Sequence, residues 1–277
     1  MPIFGFFDYS SAGSGVAKNE PEKKPFFKFW EIFSRKFWKF FYINLIYFLF
    51  CLPVITIGPA TVAMTQIMRK FTLEQPIFVF EEFWSAFKKN FKQGLAIGIF
   101  DVVFVISFVV AYLYYDFLTI KEPTFFNIAL MSLTIAAGVL VWMMHFYIYP
   151  QIAALTLKMT QIVKNSLLLA VLGLKNNIFT FIISLAVIVA MVLLLPFSLF
   201  LLPLIPFAWL NFLMVFNAYP VIQKYIITPF YETRGEKNPE IADYASGGDE
   251  DEPLFEDFGG REAEIKAKPK PKGKVIR

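Results

Sequence analysis

One cysteine and one histidine stand in 277 residues. Cys51 alone permits no internal disulfide and no cysteine-rich metal site, and His145 alone permits no multi-histidine one. No Walker loop, G-x-S-x-G elbow, HExxH pair or metal-ligand cluster can be found. Catalytic, cofactor-binding and metal residues are therefore assigned to none, and the chain is expected not to be an enzyme. Charge is missing over long stretches as well. Between Lys175 and Lys224 lie 48 residues without one charged side chain.

What fills that space is hydrocarbon. The chain is 57% hydrophobic and carries 35 phenylalanines, against about 45–50% apolar in soluble domains. At about 1.5 Å per residue, 48 helical residues would reach roughly 72 Å, more than twice an apolar bilayer core of about 30 Å. Pro196, Pro203 and Pro206 sit near the middle. The stretch predicts a hairpin of two spans, 177–195 and 205–223. Residues 93–115 and 125–149 predict two more, joined by a short loop, 116–124. Earlier, residues 40–57 form an apolar segment that Pro53, Gly58 and Pro59 break, and the shorter 60–68 follows. They predict a broken span, a partial return or a re-entrant hairpin. The expected fold is thus an all-α polytopic membrane bundle, with four long spans, an N-terminal broken span or hairpin, and amphipathic cytoplasmic helices.

Those amphipathic segments are 26–39, 71–92 and 151–176. In the first, Phe26, Phe29, Trp30, Phe33, Phe37 and Phe40 recur at helical spacing, while Lys28, Arg35, Lys36 and Lys39 take other faces. This suits a helix in the headgroup layer with its bases near anionic lipid, and not a nucleic-acid site. If residues 53–59, 116–124 and 196–204 face outward, only Lys121 among 26 Lys and Arg lies outside. That asymmetry predicts both termini in the cytoplasm.

The domains expected are a loose N-terminal arm (1–25), a membrane helical domain (26–230) and a disordered tail (231–277). The tail is first acidic and then basic. Its DEDEPLFED run suits a short docking motif, and its KAKPKPKGKVIR end suits anionic lipid.

Two stretches carry a family signature. Asn44-Leu45 followed by Cys51-Leu52-Pro53-Val54-Ile55-Thr56-Ile57-Gly58 is one. Phe83-x-x-x-Phe87-Lys88-Lys89-Asn90-Phe91-Lys92-Gln93 is the other, with Lys164–Ala170 a weaker third. Together they resemble the YesL-like bacterial membrane proteins, a family of unknown function. The resemblance implies a bacterial inner-membrane protein in a carbohydrate-uptake setting, with ABC permease or ATPase subunits as partners beside the lipid bilayer. It implies no catalytic residues.

Within the apolar segments one acid stands out. Asp101 lies nine residues past Lys92, about 13 Å along a helix. A charge at such depth costs about 2.5–3.5 kcal/mol and points to function by default, with helix-to-helix glue as the bland alternative. His145, five residues before Pro150, reads as an interfacial histidine able to meet Asp101 only if their depths match. Asn44, Asn127, Asn211 and Asn217 read as packing amides, with Asn44 kept as a third functional candidate. Two functions follow as expectations: an accessory to a carbohydrate ABC importer, or a small transporter or channel using Asp101 and the broken segment near Pro53–Gly58.

Overall fold

The computed structural model describes residues 24–236, 238 and 240, and every regular element among them is helical. The described residues fall into two units that divide after Phe230. The expected N-terminal arm, and the acidic and basic tail beyond its first residues, lie outside the described residues.

The first unit opens with α1 (Pro25–Arg35) and α2 (Phe37–Cys51), which a turn at Val54–Thr56 joins to α3 (Ile57–Thr72). Then come α4 (Val79–Lys89), α5 (Phe91–Lys121) and α6 (Phe125–Ala154). After α7 (Met159–Leu172) and α8 (Leu174–Leu193), a short α9 (Ser198–Leu201) leads to α10 (Pro206–Ile222). A π turn, Gln223–Ile227, runs into α11 (Thr228–Arg234).

Among the described residues three helices, α5, α6 and α8, are long and apolar enough to cross a membrane. The sequence predicts four. The fourth, α10, has 17 residues, about 25 Å. Pro206 fixes its first turn, and Pro220 withdraws a backbone donor near its end. It is also largely sheathed by protein, with Ala208, Phe212, Val215, Tyr219 and Ile222 fully buried.

The organising helix is α3, at whose ends the sequence shows only a half-crossing. Ten of its 16 residues are buried, and α2, α4, α5, α6 and α10 pack around it. Its start is built by the signature residues. Pro53 follows the end of α2. The Thr56 hydroxyl stands 2.5 Å from the Phe50 carbonyl and 2.6 Å from that of Pro53, closing the turn. Pro59 falls in the first helical turn, where a missing N–H is harmless. Gly58 then meets α5 with no side chain between them. A Cβ on Gly58 would stand 2.1 Å from the Gly94 carbonyl oxygen and 2.9 Å from Gly98 Cα. A Cβ on Gly94 would stand 2.7 Å from Pro59 Cα. The turn expected on the outer face thus lies three to seven residues into α5, beside the helix start that follows Lys88 and Lys89.

The phenylalanines serve two ends. Phe29 stacks on Phe212 at 4.8 Å, and Phe40 meets Phe212 at 5.0 Å and Phe71 at 5.4 Å. So α1 buries Phe29 and Ile32 against protein and leaves Phe26, Phe27 and Trp30 outside, where the sequence predicts all its aromatics in lipid. By contrast, from residue 98 to 142 the α5–α6 hairpin contains no buried residue. The core lies at the base of that hairpin, and its apolar arms project away.

Gly58→Ala is expected to lower stability by about 1–3 kcal/mol, the usual cost of overpacking, because backbone opposes the added methyl. Gly138→Ala should cost less, since there the opposing atoms belong to the Phe108 ring. Thermal melts in detergent check the order; equal effects would contradict the crossing.

Candidate functional site

Asp101 and His145 meet. The α5–α6 hairpin turns at residues 122–124, and the two residues stand 22 positions either side of residue 123. His145 Nε2 lies 2.6 Å from Asp101 Oδ1. Tyr149, one helical turn beyond His145, donates its hydroxyl to Asp101 Oδ2 at 2.5 Å. The other ring nitrogen, His145 Nδ1, is 2.7 Å from the Val141 carbonyl.

These contacts fix a proton count. A carbonyl oxygen only accepts, so Nδ1 carries a proton. Between Nε2 and Oδ1 there must be a second, because an imidazole lone pair facing a carboxylate would repel it. The pair therefore holds one proton more than a neutral imidazole beside an ionised carboxylate, and is net neutral. Both members are half-buried, with side-chain exposures of 20% and 26%.

Counted from the hairpin tip, residues 102–121 and 125–144 each give about 30 Å of helix, one hydrocarbon thickness. Asp101 and His145 come immediately after. A neighbouring helix agrees on the level. The Tyr147 hydroxyl donates to Asn177 Oδ1 at 2.7 Å, and Asn177 stands two residues from Lys175. The cluster sits near the basic rim of the apolar layer, not deep within it as counting from Lys92 suggests.

A cavity of about 290 Å³ adjoins it, lined by His145, Tyr149, Tyr47, Thr65, Asn211 and apolar side chains of α3, α6 and α10. Gly98, three residues before Asp101, touches Gly58, and the Val54–Thr56 turn lies against α5. The broken segment and the acid are thus neighbours.

Asn44 is elsewhere and fully buried. Its amide donates to the Leu202 carbonyl at 2.8 Å and accepts from Ala208 N–H at 2.9 Å. It caps the first turn of α10 from another helix, a structural duty that uses both ends of the group. Asn127 lies at the hairpin tip, its N–H bonded to Thr124 Oγ1 and its amide to the Glu122 carbonyl. Asn217 lines a separate cavity with Phe29 and Trp209. Of the second signature block, Lys88 lies over the Trp84 ring at 5.0 Å and Lys89 is exposed, while Asn90 is buried where α4 hands over to α5.

Among the described residues no third His, Cys, Asp or Glu joins Asp101 and His145 in a metal-sized group. Lys36, expected near lipid phosphates, turns inward instead, its Nζ 4.5 Å from the Phe71 ring centroid. Burial, then the Arg35 charge, push its ammonium down to about 8.

At the far end of α3, Lys70 Nζ pairs with Glu82 Oε2 at 2.8 Å, and Gln66 Nε2 donates to Oε1 at 3.1 Å. Burial alone would raise the Glu82 carboxyl. The bonds from Lys70 and Gln66, with the charges of Lys70 and Arg69, outweigh it and hold the group below the ordinary carboxylate range.

Tyr149 and the Gly94-x-x-x-Gly98 pair are the residues that sequence reasoning missed. The second was visible as small residues four apart, a common close-packing signal in membrane helices. Among known families, one described as a protein of unknown function, DUF624, matches residues 40–117, from α2 into the outer part of α5. That range includes Pro53, Thr56, Gly58, Asn90 and Asp101 but not His145. No curated protein and no solved structure matches the chain.

Because the folded Glu82 carboxyl binds its proton less readily than the unfolded one, its contribution is present above about pH 4.3 and lost as pH falls through the folded value. Glu82→Gln should lower the melting temperature at pH 7, by the equivalent of about 1 kcal/mol or less. As pH falls through the folded carboxyl's lowered value the two melting curves should converge. A gap that persists into acid would contradict the pairing.

Proposed function

We propose that the protein is a small proton-linked transporter or channel of the membrane, built on Asp101, His145 and the broken segment Pro53–Gly58. The observation that carries this reading is the Asp101–His145 contact, with its captured proton. Ionisable groups are rare along membrane helices and mark ion or proton paths. Non-helical backbone at that level is tolerated where it is buried in protein or lines a cavity, and interrupted helices are a common way to build a transport site. Both features meet here within three residues. The same reading puts the protein in the bacterial cell membrane with both termini cytoplasmic. The α2–α3 hairpin then re-enters from the basic side, and Lys121 remains the one base outside.

Reconstituted liposomes with a trapped pH dye and an imposed potential test it. Wild-type protein should pass protons, and Asp101→Asn and His145→Gln should each slow them at least about tenfold, the scale of a lost charge-assisted bond. Flux unchanged in both variants overturns the proposal.

A second reading is favoured by the bare hairpin. Residues 98–142 offer 45 residues with none buried, a surface that suits a membrane partner as well as lipid. An accessory to a carbohydrate ABC importer would use it, aided by the charged face of α4. Crosslinking from residues 105, 109 and 135 in native membranes should then capture a permease subunit; adducts with lipid alone would remove this reading.

A further inference from the structure

Two further cavities lie on one seam between α8 and α10. The first, about 410 Å³, is walled by Phe179 and Ile183 of α8, by Trp209, Leu213 and Phe216 of α10, and by Phe26 of α1. No charged side chain lines it, and Phe26 and Phe179 at its rim are exposed. The second, about 270 Å³, is lined by Lys175 and Asn176 of α8, Pro220 of α10 and Lys224 of the π turn that follows. Asn176, Phe179 and Ile183 recur every three to four residues, as do Leu213, Phe216 and Pro220, which puts each set on one helix face. The two spaces are therefore the greasy and the basic end of one groove. From Lys175 to Ile183 it runs about 12 Å along α8.

Its level in the membrane follows from a neighbour. Phe181, between the two α8 wall residues, meets the Trp142 ring at 5.0 Å. Trp142 lies near the end of the one hydrocarbon thickness counted from the α5–α6 tip. The greasy end thus opens at the basic edge of the apolar layer, and the lysines stand beyond it at headgroup level.

Both lysines are exposed, and among the described residues neither pairs with a carboxylate. Lys70 and Arg35, by contrast, have Glu82 and Glu74. No acid lines either cavity. Two positive charges beside an apolar slot call for a ligand with an anion at one end and hydrocarbon at the other. A free phosphate would leave the slot unfilled. A zwitterionic lipid would bring its own ammonium to the lysines. Basic pockets between membrane helices are the usual seats of anionic headgroups.

We infer that this groove holds one anionic phospholipid, its phosphate between Lys175 and Lys224 and an acyl chain along Phe179, Ile183 and Phe216. The inference goes beyond the proton reading and does not rest on it, since neither Asp101 nor His145 lines either space.

The test uses full-length protein in phosphatidylcholine nanodiscs. Trace phosphatidylglycerol or phosphatidylcholine is added, each with the same acyl-chain diazirine. Phosphatidylglycerol adducts should map to the 179–183 and 209–216 stretches. They should exceed phosphatidylcholine adducts there about thirtyfold, each base near anionic lipid being worth about fivefold. In the double variant Lys175→Gln, Lys224→Gln the ratio should fall to about one. In Lys158→Gln, Lys164→Gln, which removes as much charge from α7, it should stay. A ratio near one in the wild type would mean ordinary surrounding lipid. A ratio kept in the first double variant, or lost equally in both, would mean that the bases of the groove do not choose the lipid. Loss of the adducts in 10 mM inorganic phosphate would mean a soluble-anion site. Each of these results overturns the inference, as does labelling outside the two stretches alone.

Discussion

Where α3 crosses α5, two main chains touch. Gly58, Gly94 and Gly98 leave no side chain between them, and Pro59 closes the fourth corner. In lipid there is little hydrophobic force between helices, so close backbone approach and the dispersion it brings are what hold them. Everything else is placed from this contact. It sets α3 at the centre, with α2, α4, α6 and α10 around it. It also brings the irregular turn at Val54–Thr56 beside the residue that carries the charge.

A second layer of fixing comes from buried polar groups used as couplings between helices. Asn44 holds the start of α10. Gln151 donates to Ser166 at 2.8 Å, tying α6 to α7, and Asn177 accepts from Tyr147 and donates to the Ala170 carbonyl at 2.8 Å. Gly173 makes room for this last knot, since a Cβ there would stand 2.2 Å from the Tyr147 hydroxyl. Asn44 and Asn177 have both ends of the amide occupied, which is what a low-dielectric interior demands, whereas Gln151 uses only its Nε2.

The helices were legible because hydrophobic runs, lysines and prolines mark them locally. The expected spans at 93–115, 125–149 and 177–195 correspond to α5, α6 and α8. Asp101 and His145 were legible as anomalies, and their meeting follows from equal counts on either side of a tight turn. Less could be read of α3. Its length suggests a fragment, and its importance lies in neighbours supplied by α10 and α6, far along the chain. Tyr149 looked like a boundary residue before Pro150, for nothing local says that its hydroxyl turns toward Asp101. Lys36 carried the same message as Lys28 and Lys39, although tertiary packing folds it inward over Phe71.

A bare backbone crossing has a mechanical consequence. Side chains that interdigitate lock two helices like gear teeth, whereas smooth glycine faces leave a fulcrum. Beyond it α5 runs on for 23 residues to Lys121, an arm of about 34 Å. Tilting such a rod by about 10° carries its far end some 6 Å, while the carboxylate three residues from the pivot moves by less than about 1 Å. Leverage of that kind turns a slight adjustment around Asp101 into a broad sweep at the opposite face of the bilayer.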